Sequence, residues 1–396
     1  MKDNKTSRFA IIPVMMCFFV MGFVDLVGAT TNLFQADKGL SDKVANFLPS
    51  LVFIWFLIFS IPTGMLMNKI GRKKTVILSL VVTALSLMFP LFGENLTMML
   101  ISFSLLGIGN TLLQVSLNPL VVTVVKGGDM ASTITLGQFV KAIASLLAPL
   151  ITAWGAQSAL LSSGLSWRIL FPIYLVIGLV TLLLLASTSI MEEPLHDKPS
   201  TFTECVSLLR VPIVLLSFIG IICHVGIDVG VNTIAPRVFS ECLNVPIKGA
   251  VITTSIYFAF RLIGSLTGSF FLRVMNHRSF FLISVAMLLT GMACMLAALF
   301  FGHANTATQW LLFAALAILG YGNSNIFSLV ISQAFISLPE KQNEVSGLMI
   351  MGLFGGFLFP FIMGFASDAV GNQSGAIIVM LFAVAYLFSY AKKINQ

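Results

Sequence analysis

The chain has 396 residues, of which 58% are hydrophobic and only 9% are Asp, Glu, Lys or Arg. A soluble domain carries about 25% charged residues, so a water-soluble globule is excluded, and the abundance of apolar residues excludes disorder. The net charge of +7 does not make a nucleic-acid binder, because the bases fall in short clusters between apolar runs. A polytopic membrane protein remains.

A helix rises about 1.5 Å per residue and needs about 20 apolar residues to cross the hydrocarbon core. Twelve segments qualify: 9–33, 45–68, 74–93, 96–125, 132–157, 167–190, 211–240, 247–275, 279–301, 307–337, 345–370 and 373–391. The first is too long for a signal-peptide core and is expected to be a retained span. An even number puts both termini on one side. With the N-terminus in the cytoplasm, inner loops and tails hold 15 of the 22 Lys and Arg and outer loops hold 5. Lys141 and Arg261 lie within apolar segments. This positive-inside bias supports the count and orients both termini to the cytoplasm of an inner-membrane protein. The longest polar stretch, 191–210, separates six spans from six. The expected domains are an N-terminal six-helix bundle (1–190), a cytoplasmic linker (191–210) and a C-terminal six-helix bundle (211–396).

Cys17, Cys205, Cys223, Cys242 and Cys294 form no Cys-x-x-Cys pair and have no His at ligand spacing. Neither a disulfide nor a metal site is expected, and no cofactor is implied.

The halves echo each other. LGIGNT at 106–111 matches LGYGNS at 319–324 with an offset of 213. Asp25 matches Asp228 (offset 203), Gly64 matches Gly268 (204) and Pro149 matches Pro360 (211). Four ordered matches at nearly constant offset argue for tandem six-helix repeats. Parallel repeats about an axis along the membrane normal are the major facilitator plan, with substrate bound near the midplane between halves. The expected fold is therefore all-α, with twelve transmembrane helices in two bundles.

GMLMNKIGRKK at 64–74 resembles the major facilitator signature Gly-x-x-x-Asp-Arg-x-Gly-Arg-Arg-Lys. Gly71, Arg72 and Lys74 fit; Asn68 replaces the acid and Lys69 the Arg. Asp25, Asn118-Pro119, Gln138, NIFSL at 325–329 and GFASDAVGN at 364–372 resemble the fucose–proton symporter family of sugar permeases. That resemblance implies proton-coupled uptake of a monosaccharide. Gln114 and Lys141 stand where that family tends to carry Glu and Asn, and Pro49 and Phe53 where it tends to carry Gln and Tyr.

An ionisable group at bilayer depth costs about 2.5–3.5 kcal/mol on the lenient insertion scale, so Asp25, Lys141, Asp228 and Arg261 are expected to face a wet cavity or one another. Helix rise puts Asp25 about 24 Å in from the cytoplasmic end and Asp228 about 25 Å in, with Lys141 at about 13 Å and Gln114 at about 16 Å. Asp25 reads as a proton carrier, or else as a permanently ionised partner of a base. Lys141 is a donor to substrate hydroxyls, a counter-ion or an anchor for a substrate carboxylate. Asp228 and Arg261 read as a charge pair or a gate. His224, one turn before Asp228, is a proton relay or a buried neutral side chain. Gln114, Asn118, Gln138, Asn232, Asn323 and Asn325 supply amides for sugar hydroxyls. The Gly-x-x-x-Gly pairs at 226, 264 and 352 are expected to let helices approach closely.

The function expected is secondary active uptake of a small sugar by proton symport with alternating access. A facilitated or sodium-coupled carrier and a carrier of an acidic sugar are the alternatives. A non-transporting nutrient sensor ranks well below them. A membrane enzyme is not expected, since no Gly-x-Ser-x-Gly elbow or His-Glu-x-x-His pair is present. The expected partners are sugar, proton and bilayer, and the protein is expected to work as a monomer.

Overall fold

The computed structural model describes residues 9–39, 42–125, 129–157, 164–192, 200–245 and 252–394. Lys2, Lys5, Arg8, Lys126, Lys198 and Lys248 of the charge count lie outside these residues, as do 193–199 of the linker and 247–251 of the eighth segment.

All regular structure among the described residues is helical. In hydrocarbon each backbone polar group must be satisfied within its own segment, which a helix does. The first span, α1, comprises Ile11–Met21 and Leu26–Lys38 joined by a 3-10 turn, Gly22–Asp25. It is followed by α2 (Asp42–Ile70), α3 (Arg72–Phe92), α4 (Leu96–Val124), α5 (Met130–Gln157) and α6 (Leu170–Ser187). The second series is α7 (Pro212–Leu243), α8 (Ile252–Phe271) and α9 (His277–Phe301). Next, α10 is broken into Thr306–Asn323 and Ile326–Ser337. In α11, Gln342–Met351 and Gly355–Val370 flank a 3-10 turn, Gly352–Phe354, and α12 is Ser374–Tyr390. Each of the twelve expected segments is helical, and among the described residues ten are long and apolar enough to cross a bilayer. One helix was not foreseen, the short Phe202–Ser207 in the linker. Its start is a capping box: Glu204 accepts from the Thr201 backbone N–H at 2.7 Å, and the Thr201 hydroxyl accepts from the Glu204 N–H at 3.3 Å.

Two compact units are present. Unit 1 is residues 1–128, 140–207 and 340–351; unit 2 is 129–139, 208–339 and 352–396. The first turns of α5 thus belong to unit 2 and the first turns of α11 to unit 1.

In unit 1, the start of α11 packs tightly on α2. A side chain at Gly347 would meet the Ser60 carbonyl at 2.8 Å, and one at Gly64 the Asn343 carbonyl at 2.8 Å. Asn68, at the position where the signature carries an acid, is buried and donates to Glu344 Oε1 at 2.7 Å. Ser200 of the linker donates to the same oxygen. Arg72 donates to Asn343 Oδ1 (2.7 Å) and Thr123 Oγ1 (2.6 Å). Glu192 caps α3 by accepting from the Arg72 and Lys73 backbone N–H groups, each at 2.7 Å, a favourable place for a carboxylate because the helix N-terminus presents unpaired donors and a positive dipole end. In unit 2, Asp129 caps α5 by accepting from the Ser132 N–H at 2.6 Å, and it pairs with His277 Nε2 at 2.8 Å. Burial raises the Asp129 carboxyl, but the bonds from His277 and Ser132 outweigh it and leave the group below its ordinary value.

Candidate functional site

In unit 1 the polar centre forms around the break in α1. Gly22 opens the turn, and a Cβ there would lie 2.4 Å from the Lys141 carbonyl. Only glycine lets α1 touch α5 so closely. Phe23 stacks on Tyr174 (centroids 4.0 Å apart, planes at 18°), and Tyr174 donates to the Ala144 carbonyl at 2.6 Å. These contacts pin the turn from both sides and leave Asp25 exposed at its end. The Asp25 carboxylate accepts from the Ser145 hydroxyl, one turn after Lys141. Helix rise put Lys141 and Asp25 at different depths, about 13 and 24 Å in; the Ser145 hydroxyl that reaches Asp25 was not foreseen. Lys141 itself is half-buried.

Behind the turn runs a ladder of amides on α4. Asn110 donates to the Met21 carbonyl at 2.7 Å, at the entry to the 3-10 turn. Gln114 donates to Asn110 Oδ1 at 2.7 Å, and Asn118 to the Gln114 carbonyl at 2.8 Å. All three are buried. Asn110 was missing from the expected site, although its spacing of four from Gln114 puts both on one helix face. Gln138 is half-buried and belongs to unit 2, whereas Lys141, three residues on, belongs to unit 1.

In unit 2, α7, α8 and α10 bring a second group together. Arg261 Nη1 lies 2.6 Å from Asp228 Oδ2. Tyr257 donates to Asp228 Oδ1 at 2.6 Å. Asn323 Nδ2 reaches the same oxygen at 3.3 Å and Tyr257 Oη at 3.0 Å, and Asn323 Oδ1 faces His224 Nδ1 at 2.9 Å. Asn232 donates to the Asp228 carbonyl at 2.9 Å. The ion pair keeps a polar edge open, with side-chain exposures of 22% for Arg261 and 14% for Asp228, while Tyr257, Asn323 and His224 are buried. Tyr257 was not foreseen; its signal was the spacing of four to Arg261. Asn325 stands apart from this group at the break in α10. It is fully buried and donates to the Gly264 carbonyl at 3.1 Å, and a Cβ at Gly268 would fall 2.2 Å from its Oδ1. The 264–268 glycine pair thus makes room for an asparagine side chain between α8 and α10. Among the described residues no three metal-ligating side chains cluster.

Ten helices long and apolar enough to span a bilayer among the described residues, with polar centres at Asp25 and Asp228, fit a multi-pass membrane transporter. Residues 13–360 match the Major Facilitator Superfamily, and the chain belongs to it. It is similar over 98% of its length to a glucose/galactose transporter of Brucella abortus (strain 2308), with 25% identity and 94% of that protein covered. An L-fucose-proton symporter of Escherichia coli (strain K12) is 24% identical, covering all of this chain and 96% of that one. In fold it resembles the crystal structure of the E. coli fucose:proton symporter, with TM-score 0.80, 19% identity and coverage of 98% and 100%. A proton:xylose symporter gives 0.74 at 18% identity, with coverage of 98% and 96%. These relatives are transporters, not enzymes.

Proposed function

We propose that the protein takes up a neutral monosaccharide by proton symport with alternating access, its two six-helix halves (1–190 and 211–396) joined by the 191–210 linker in a bacterial inner membrane with both termini in the cytoplasm. The observation that carries this reading is Asp25: an exposed carboxylate on a broken membrane helix that accepts from the Ser145 hydroxyl. A carboxylate at that place is loaded and unloaded as access to water alternates between the two sides of the membrane. The relatives support the substrate class, since their names specify glucose, galactose and L-fucose. A neutral sugar is favoured over an acidic one because Arg261 already holds a carboxylate at 2.6 Å.

Gln138, Lys141 and Asn232 are the proposed contacts to sugar hydroxyls; Gln114, Asn118, Asn323 and Asn325, all buried, are retained as members of the substrate region that act from behind its surface. The test is a proteoliposome panel of D-glucose, D-galactose, L-fucose and D-glucuronate, with and without an inward proton gradient. Uphill uptake of a neutral hexose that an uncoupler abolishes is the expected result. One proton moved across 100 mV supplies about 2.3 kcal/mol, enough for roughly 50-fold accumulation. Uptake indifferent to the gradient would replace symport with facilitated diffusion, and preference for D-glucuronate would reverse the assignment of Arg261.

A further inference from the structure

The Asp228 network has a direction. Tyr257 gives its one hydroxyl proton to Asp228 Oδ1 at 2.6 Å, so towards Asn323 it is an acceptor. Asn323 therefore presents its NH2 end to Tyr257 and to Asp228. Turned over, the amide would aim its oxygen at a carboxylate and at a hydroxyl with no proton to offer. Its Oδ1 is thus committed to His224, 2.9 Å away. An amide oxygen only accepts, so His224 must carry hydrogen on Nδ1. The charge on Asp228 in this way sets the tautomer of an imidazole that is 2% exposed.

A proton added from water to Asp228 Oδ1 reverses the chain. The carboxyl O–H now donates, Tyr257 turns its hydroxyl proton to Asn323, and the amide rotates to accept it. Its NH2 group then faces His224, which must offer a lone pair at Nδ1. The imidazole releases its Nδ1 proton to water and takes one from water on Nε2, with no net change in its charge. Meanwhile Arg261 loses the negative charge it meets at 2.6 Å. A guanidinium in a partly buried site then gains from added oxygen acceptors, and the open edge of Arg261 gives it access to sugar hydroxyls or water. Proton uptake at Asp228 and occupation of Arg261 by a polyol thereby favour one another.

We propose that Asp228 is a second proton-binding site of the transport cycle, and that Asn323 and His224 are positioning residues that hold it in its ionised, arginine-bound state. This rests on the symport reading above. Among the described residues, the titratable and charged groups that reach Asp228 include Arg261 and Tyr257 from α8 and, through Asn323 of α10, His224 of its own helix. Of the other helices packed on α7, α12 turns Tyr386 and Tyr390 to the Leu216 carbonyl and Ser217, α9 carries Cys294 and α11 carries Asp368.

The test uses the full chain, labelled with 15N-histidine in lipid nanodiscs, with nitrogen spectra recorded from about pH 8 to about pH 5 and the His224 signals assigned through His224→Gln. In the wild type and in Asp25→Asn, His224 is expected to hold hydrogen on Nδ1 at the alkaline end and to exchange to Nε2–H as pH falls. In Asp228→Asn that exchange is expected to be absent. The double variant Asp228→Asn/Arg261→Gln, which removes both charges, serves if the single variant does not fold. The same pH-driven exchange without Asp228, or direct formation of imidazolium with no change of tautomer in the wild type, would overturn the proposal. In proteoliposomes, Asp228→Asn is expected to lower gradient-driven D-galactose accumulation at least 10-fold while D-galactose counterflow persists. His224→Gln is expected to shift the pH profile of accumulation. Accumulation and pH profile both unchanged would likewise overturn it. If the wild type moves no sugar, the symport reading fails while the spectra still decide whether Asp228 binds the proton.

Discussion

Asp25 and Asp228 occupy matching places in the two repeats, 203 residues apart, yet their surroundings are opposite. Asp25 is exposed, sits at the end of a 3-10 turn and accepts from a serine hydroxyl. Asp228 lies within an unbroken helix and is gripped by a guanidinium, a phenol and an amide. The same residue type at the same repeat position thus meets a serine hydroxyl in one unit and an arginine, a tyrosine and an asparagine in the other. Duplication of a fold conserves where a charge sits along a helix; it leaves the neighbours, and hence the energetics, free to diverge.

Breaking the held pair should have the largest effect. Arg261→Ala strands a partly buried carboxylate and is expected to lower stability by about 3–5 kcal/mol, read as a fall in the denaturation midpoint in lipid nanodiscs. Removing both charges should recover most of that loss, which sharpens the contrast with the other unit. Asn68→Asp comes next. It puts a second carboxylate against Glu344 and forfeits the 2.7 Å donation, at a cost of about 1–3 kcal/mol for the lost buried bond. Hydrogen exchange of the first turns of α11 should rise; unchanged exchange would mean the signature acid is tolerated there after all.

Asp129→Ala removes the cap of α5 at about 1 kcal/mol. Because the Asp129 carboxyl is held below its ordinary value, its contribution is complete above the unfolded-state value and disappears as pH falls through the lower, folded one. The variant should therefore lose the part of the acid transition that lies below the ordinary aspartate range, near 3.8. Asp25→Asn should move stability least, within about 0.5 kcal/mol for an exposed side chain. In transport the order inverts: this substitution is expected to retain sugar counterflow and to abolish uphill accumulation, separating coupling from folding.

The helices were legible because a bilayer demands about 20 apolar residues in a row, and each expected segment is helical. The breaks were less so. Nothing in the apolar pattern distinguishes Gly22–Asp25 from its flanks; the reason for the turn is the close contact of Gly22 with α5, a tertiary fact. Charged site residues stood out against an oily background, whereas Tyr257, Ser145 and Asn110 did not. Tyrosine and serine are ordinary in such helices, and only the contacts of the fold reveal that these particular ones hold Asp228 and Asp25. Asn325 reads the same as Asn323 in the sequence. The break in α10 sends one to the packing seam with α8 and the other to the carboxylate.

The turn in α1 carries one further implication. Tighter 3-10 winding advances each residue by about 120° and 2.0 Å, against about 100° and 1.5 Å in an α-helix. Relaxing the four residues Gly22–Asp25 into regular α geometry would swing Leu26–Lys38 about 80° around the axis and draw it in by about 2 Å. A screw motion of that size would re-aim a whole helical segment while its backbone bonds merely change partners, with neither unfolding nor a flexible loop.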